Sequence, residues 1–172
     1  AACQLATLDV IGFCRRHLPG HEQCRIDALP SLLGTRESRR ILGRYVLTHR
    51  DVVAGAKFDD GIARCCFFVD LHDSPPGISM PFPMDYKRAT MPAPGDWYEI
   101  PFRCLLPQDV PAMLVAGRCI SCDRSGQGST RLQPTCMTVG EAAGVAAALA
   151  VQRAVPPHQI DGREVRREMG MA

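Results

Sequence analysis

The stretch over residues 113–150, MLVAGRCISCDRSGQGSTRLQPTCMTVGEAAGVAAALA, constrains this chain more than any other. Met113, Leu114, Val115 and Ala116 form a short apolar run of the kind that fills a buried parallel strand, and Gly117 lets the backbone turn beside a neighbour or a ligand. Ser125, Gly126, Gly128, Ser129 and Thr130 then predict a polar turn with accessible backbone amides. Pro134 suits the first turn of a helix over 135–150, whose unpaired N–H groups, near Thr135, favour a negative ligand. Gly140, Ala143, Gly144, Ala147 and Ala148 give that helix a face of small residues. An interior glycine costs about 1 kcal/mol relative to alanine, so two of them argue that another backbone packs very close. An ordinary strand, loop and tightly packed helix would show the same local pattern.

A chain of 172 residues, 46% of them hydrophobic, admits one domain or pieces of two around a genuine core. Its formal charge is only +2, with both signs interspersed, so there is no general electrostatic case for nucleic acid or an anionic membrane surface. No apolar run approaches the ~20 residues of a bilayer span, and no basic, apolar leader opens the sequence. A cytoplasmic location is the expectation. Numbering starts at Ala1 rather than a methionine, which is compatible with processing or with an expressed piece of a longer protein.

The nine cysteines form an odd set without the spacing of a secreted disulfide framework, and are read as mostly buried, reduced thiols. Cys119 and Cys122 have C-x-x-C spacing. No second pair accompanies them to complete a zinc site, and Cys119 lies on an apolar run rather than at the helix start a redox pair would occupy. No metal site is expected.

Elsewhere the pattern is mixed α and β. Leu5, Leu8, Val10, Ile11 and Cys14 recur at near-helical intervals over 3–16, before HLPGHE ends the helix. Ile41, Tyr45 and Leu47 suggest a strand; Thr48 followed by Asp51 resembles a capping box and predicts a helix over 49–64. CCFFVDLHD reads as a buried strand, the proline-rich 74–95 as loops joining short strands, and WYEIPFRCLLP as extended chain.

Four segments occur in order: GTRESRR at 34–40, DLH at 70–72, IPFRCLLP at 100–107 and MLVAGRCIS at 113–121. In that order the chain resembles the C-terminal portion of the FAD-dependent oxidoreductases that carry GxRESRR, DxH, IPxRxLLP and LLVAGRxIS, and the likeness spans about residues 30–155. The resemblance implies an α/β enzyme with FAD as cofactor, a Rossmann-like FAD domain built from both ends of the chain, and a substrate-covering region between them. Residues 1–107 would belong to the substrate region and 108–172 to the closing strand, loop and helix of the FAD domain. The strand, G-x-G-x-x-G turn, helix and acidic residue that hold the dinucleotide in such folds do not occur here; Gly126 and Gly128 lack the third glycine. A fragment is therefore expected, inactive alone, whose partner is the N-terminal FAD-binding half of the same protein. Self-association of the fragment is a further expectation.

On that resemblance, Gly117, Arg118, Ser121, Gly126, Gly128, Arg131 and Thr135 are the candidates for the cofactor. Related flavoproteins often carry an acidic residue where this chain has Arg118. Arg36, Arg39 and Arg40 around Glu37 could clamp a substrate carboxylate or a flavin phosphate through bidentate hydrogen bonds, or form a solvated salt-bridge network. His72, between Asp70 and Asp73, is the acid/base candidate for a small-molecule substrate. Tyr98 and Arg103 rank behind these. Two other classes fit the same residues: a stand-alone module binding some other anion before Thr135, and an assembly domain whose small-residue helix packs on another protein.

Overall fold

A computed structural model of the protein describes residues 2–29, 31, 34, 36–37, 39–71 and 90–171. Contacts divide the chain into two compact units, Ala1–Thr35 and Arg36–Ala172. The fold is mixed α and β, as expected.

The first unit is built on α1, Ala2–His17. Arg15, Arg16 and His17 sit in its last turn, where positive charge complements the helix dipole. Gly20, at φ +84°, lies three residues beyond its end, after Leu18 and Pro19. Of the apolar residues that define the helical period, Leu5, Leu8 and Val10 are exposed while Ile11 and Cys14 are half-buried, and Phe13 is exposed beside them.

The second unit opens with a segment over 41–47 that was expected as a strand. It makes only isolated bridges, Gly43 to Pro107 and Leu47 to Cys122. Its amides serve several neighbours: Ile41 N donates to Cys119 O, Arg44 N to Leu106 O and Leu47 N to Ser121 O. Split between two partners, one of which carries a proline, the segment completes a regular ladder with neither.

Thr48 does cap α2. The Asp51 amide donates to Thr48 Oγ1 at 3.3 Å, and the Thr48 amide donates back to Asp51 Oδ2 at 2.8 Å. The helix ends at Val53, however, far short of the expected 64. Gly55 takes φ +62° and stops it, and a Cβ there would lie 2.6 Å from Asp96 Oδ2. The freed residues instead form β1, Gly61–Cys65, paired antiparallel with β2, Tyr98–Pro101, in the register Ala63 to Ile100 and Cys65 to Tyr98. The strand expected through CCFFVDLHD thus reaches only Cys65; beyond it, Val69 N donates to Thr90 O. WYEIPFRCLLP is extended only through β2 before a 3-10 turn at Phe102–Leu105.

Residues 113–116 are irregular, not a parallel strand. Val115 N to Leu105 O is their cross-chain bond, and Met113 is exposed. The expected polar turn at 125–130 is instead α3, Arg124–Thr130. Asp123 caps it, its Oδ1 accepting from Gly126 N at 2.6 Å and its Oδ2 from His49 N at 2.8 Å.

The long helix α4, Gln133–Arg153, starts where Pro134 placed it. Its buried residues Val139, Ala142, Ala146 and Ala150 share one face, and the helix packs on β1 and on α5, Gly162–Glu168. By length and composition alone α4 could cross a membrane, contrary to the expectation that no apolar run is long enough. Within this fold one face of it packs on β1 and α5, while Met137 and Val151 on another are exposed. The core joins Leu47, Val52, Ile62, Tyr98, Ile100, Leu105, Ile120 and Val165 to α4.

Candidate functional site

Two of the candidate residues, Arg40 and Arg118, meet at one buried amide. Gln127, on α3, is 2% exposed. Its Oε1 accepts from Arg40 Nη1 at 2.7 Å and its Nε2 donates to Arg118 O at 3.2 Å. Two segments far apart in sequence, the RESRR cluster and the Gly117–Cys119 turn, are thereby tied to one side chain.

That turn is a short 3-10 element packed against α4. Gly117 holds φ +73°, and no atom of the described residues lies within 4 Å of where a Cβ would project. Arg118 is exposed. The α4 start has Leu132 at its N-cap with no side-chain cap, and Pro134 occupies the first positions. Its leading amides therefore lack the side-chain acceptor that closes most helix starts. The thiol of Cys136, one turn into α4, is pushed up by burial and drawn partly back by the positive charge of Arg118.

Other candidates are turned inward. Arg131 keeps only 6% of its side chain exposed and donates through Nη2 to Asp70 O at 2.8 Å and Asp70 Oδ2 at 3.3 Å, with Glu37 Oε2 3.9 Å from Nη1. Glu37 also accepts from Arg124 Nε at 2.9 Å. Gly126 and Gly128 are buried, and a Cβ on them would meet the Leu47 carbonyl at 2.8 Å and the Asp70 carbonyl at 3.0 Å. Their role in this fold is close backbone approach. Ser121 is fully buried, and its hydroxyl has no hydrogen-bond partner among the described residues; a Cβ on Gly43 would lie 3.1 Å from that oxygen. The Thr135 hydroxyl, also buried, sits 3.6 Å from Cys65 Sγ.

Of the RESRR arginines, Arg36 and Arg39 are exposed and Arg40 is half-buried against Gln127. His72 lies outside the described residues. Tyr98 is in the core, its hydroxyl 2.7 Å from Ser129 Oγ, and burial raises its pKa. Arg103 forms a two-point pair with Asp60 at 2.9 and 3.0 Å. The C-x-x-C pair is divided, Cys119 exposed and Cys122 buried, and the described residues hold no cluster able to bind a metal.

Sequence reasoning passed over Gln127 and Asp123. The cap was legible: an aspartate three residues before Gly126 is a helix-start signal. Gln127 had no such signal, because its two partners come from 87 residues upstream and 9 residues upstream.

The model of the family described as FAD dependent oxidoreductase matches residues 3–169. No curated protein and no solved structure matches the chain.

Proposed function

The chain belongs to the FAD-dependent oxidoreductase family, whose cofactor is FAD, and from that premise we propose that it forms one wall of a flavin site in an enzyme that moves a hydride between an organic substrate and FAD. The observation that carries this is the corner made by the Gly117–Cys119 turn, the exposed Arg118 and the uncapped start of α4. Its donors suit FAD. Open space beside Gly117 admits a flat ring or a phosphate, and a guanidinium with first-turn amides complements phosphate oxygens or the electronegative edge of the isoalloxazine.

Bound FAD supplies the two-electron chemistry. The chain's own residues bind, orient and exclude water. Arg118 and the amides before Cys136 hold the cofactor, while Arg36 and Arg39 offer charge to a substrate carboxylate or a flavin phosphate. The inward-turned Arg131, Gly126, Gly128, Ser121 and Thr135 support the wall from behind. The acid/base role stays with His72 as a proposal from its sequence context. The proposal includes an N-terminal FAD-binding half of the same protein, which would hold the pyrophosphate.

Two measurements test this. Purified alone, the chain is expected to be colourless; stoichiometric flavin released on denaturation would show that it needs no completing segment. In the complete flavoprotein, Gly117→Val and Arg118→Ala are expected to lower FAD bound per folded protein, and full retention by both variants removes the assignment of this wall.

A further inference from the structure

Gln127 is a buried polar side chain held between two candidate segments, and its chemistry is tightly prescribed. A guanidinium only donates, so Arg40 must meet an acceptor; a backbone carbonyl only accepts, so Arg118 O must meet a donor. A side-chain amide carries both a donor and an acceptor without charge. The bonds, 2.7 Å to Arg40 and 3.2 Å to Arg118 O, fix the orientation of that amide. Gly126 and Gly128 on either side let α3 settle against the Leu47 and Asp70 carbonyls. That close approach seats Gln127 where it reaches both partners.

From this geometry we infer that Gln127 is a positioning residue: it locks the RESRR arginine to the Gly117–Cys119 turn, so that both present one surface of fixed spacing to a phosphate-bearing dinucleotide. The inference rests on the wall proposed above and adds what holds it in shape. A substitution at Gln127 touches no ligand directly. It should act by loosening the turn.

The variant Gln127→Glu keeps volume and the acceptor for Arg40 but loses the donor toward Arg118 O. In the complete flavoprotein stripped of cofactor, FAD affinity is read by fluorescence titration and backbone freedom by amide hydrogen exchange. The expected result is about tenfold weaker FAD binding, as for loss of one buried hydrogen bond, with faster exchange at Arg118 and Cys119 and unchanged exchange at Ala142 and Ala146. Arg40→Met should weaken FAD comparably, and the double variant no more than the worse single one, because both act through one amide. Wild-type affinity in Gln127→Glu, while Gly117→Val in the same protein loses flavin, overturns the positioning role and leaves the wall standing. Normal binding by Gly117→Val as well removes the wall itself. Weaker binding with exchange accelerated throughout α4 marks a general loss of fold and also overturns the role.

Discussion

Gly126 and Gly128 in α3 and Gly140 and Gly144 in α4 are the same residue in the same secondary structure with opposite surroundings. A Cβ at Gly126 would sit 2.8 Å from the Leu47 carbonyl oxygen and one at Gly128 3.0 Å from that of Asp70, whereas at Gly140 and Gly144 no atom of the described residues lies within 4 Å. In α3 the helical cost of glycine is offset within the fold, by backbone approach. In α4 it is not. The glycines there share the exposed face with Met137 and Val151, 75% and 82% exposed, while packing is done by Val139, Ala142, Ala146 and Ala150. Small residues in a helix therefore carry two meanings, and only their neighbours distinguish them.

The sharpest way to break this comparison is Gly126→Val. The new side chain collides with backbone rather than with a flexible tip, so a loss of about 3 kcal/mol is expected in chemical denaturation. A loss under half of that would mean α3 can move away from Leu47, and the close approach would not be the reason for the glycine.

Alkaline pH probes the same wall. Cys122, whose Cβ would lie 3.1 Å from a side chain at Gly126, has its thiol pushed by burial from 9.0 to about 12. A folded pKa raised above the unfolded value means the unfolded chain loses its proton first, so stability is complete below pH 9.0, declines above it, and is lost through about 12. The slope from this thiol is on the order of 1.4 kcal/mol per pH unit. Cys122→Ala should flatten the fall of stability between those values; an unchanged slope would locate the alkaline sensitivity elsewhere.

Asp123→Ala removes the acceptor of Gly126 N and His49 N, and a loss of about 1 kcal/mol is expected. The corresponding change at the α4 start has no counterpart, since Leu132 provides no side-chain cap. Equal effects of Asp123→Ala and Leu132→Ala on thermal unfolding would erase the difference between the two helix starts.

The smallest effect has the opposite sign. Gly144→Ala is expected to stabilise the chain by somewhat under 1 kcal/mol, because the helix gains propensity and nothing is displaced. The informative case is Gly144→Leu: neutral for this chain, it should lower bound FAD in the complete flavoprotein if the exposed face has a partner there. Full flavin in that variant would leave the α4 glycines without a packing role.

Much of this architecture was legible because its determinants are local. The period of α1, the Thr48 and Asp51 box and the Pro134 start of α4 each depend on residues within one or two turns, and each stands as expected. The order of the motifs likewise carried the family, which needs no geometry. What misled was equally local in form. Val52, Ala56, Ile62 and Ala63 continue a helical period beyond Val53, and only Gly55, locked at φ +62° beside Asp96, ends it. Residues 113–116 and 41–47 have the composition of strands, but strand pairing depends on what arrives alongside, and here their hydrogen bonds are shared among Leu105, Cys119 and Ser121.

The sequence by itself determined the starts of α1, α2 and α4, the apolar stock of the core and the flavin-family membership, because capping, periodicity and motif order are properties of neighbours along the chain. Tertiary structure alone decided which glycines are packed and which are open, that Arg131 spends its charge on Asp70 and Glu37, and that Arg40 and Arg118 meet at Gln127. Those outcomes follow from contacts across 61 and 87 residues of chain. A guanidinium has no sequence signal that tells a ligand from a carboxylate, and burial chooses between them.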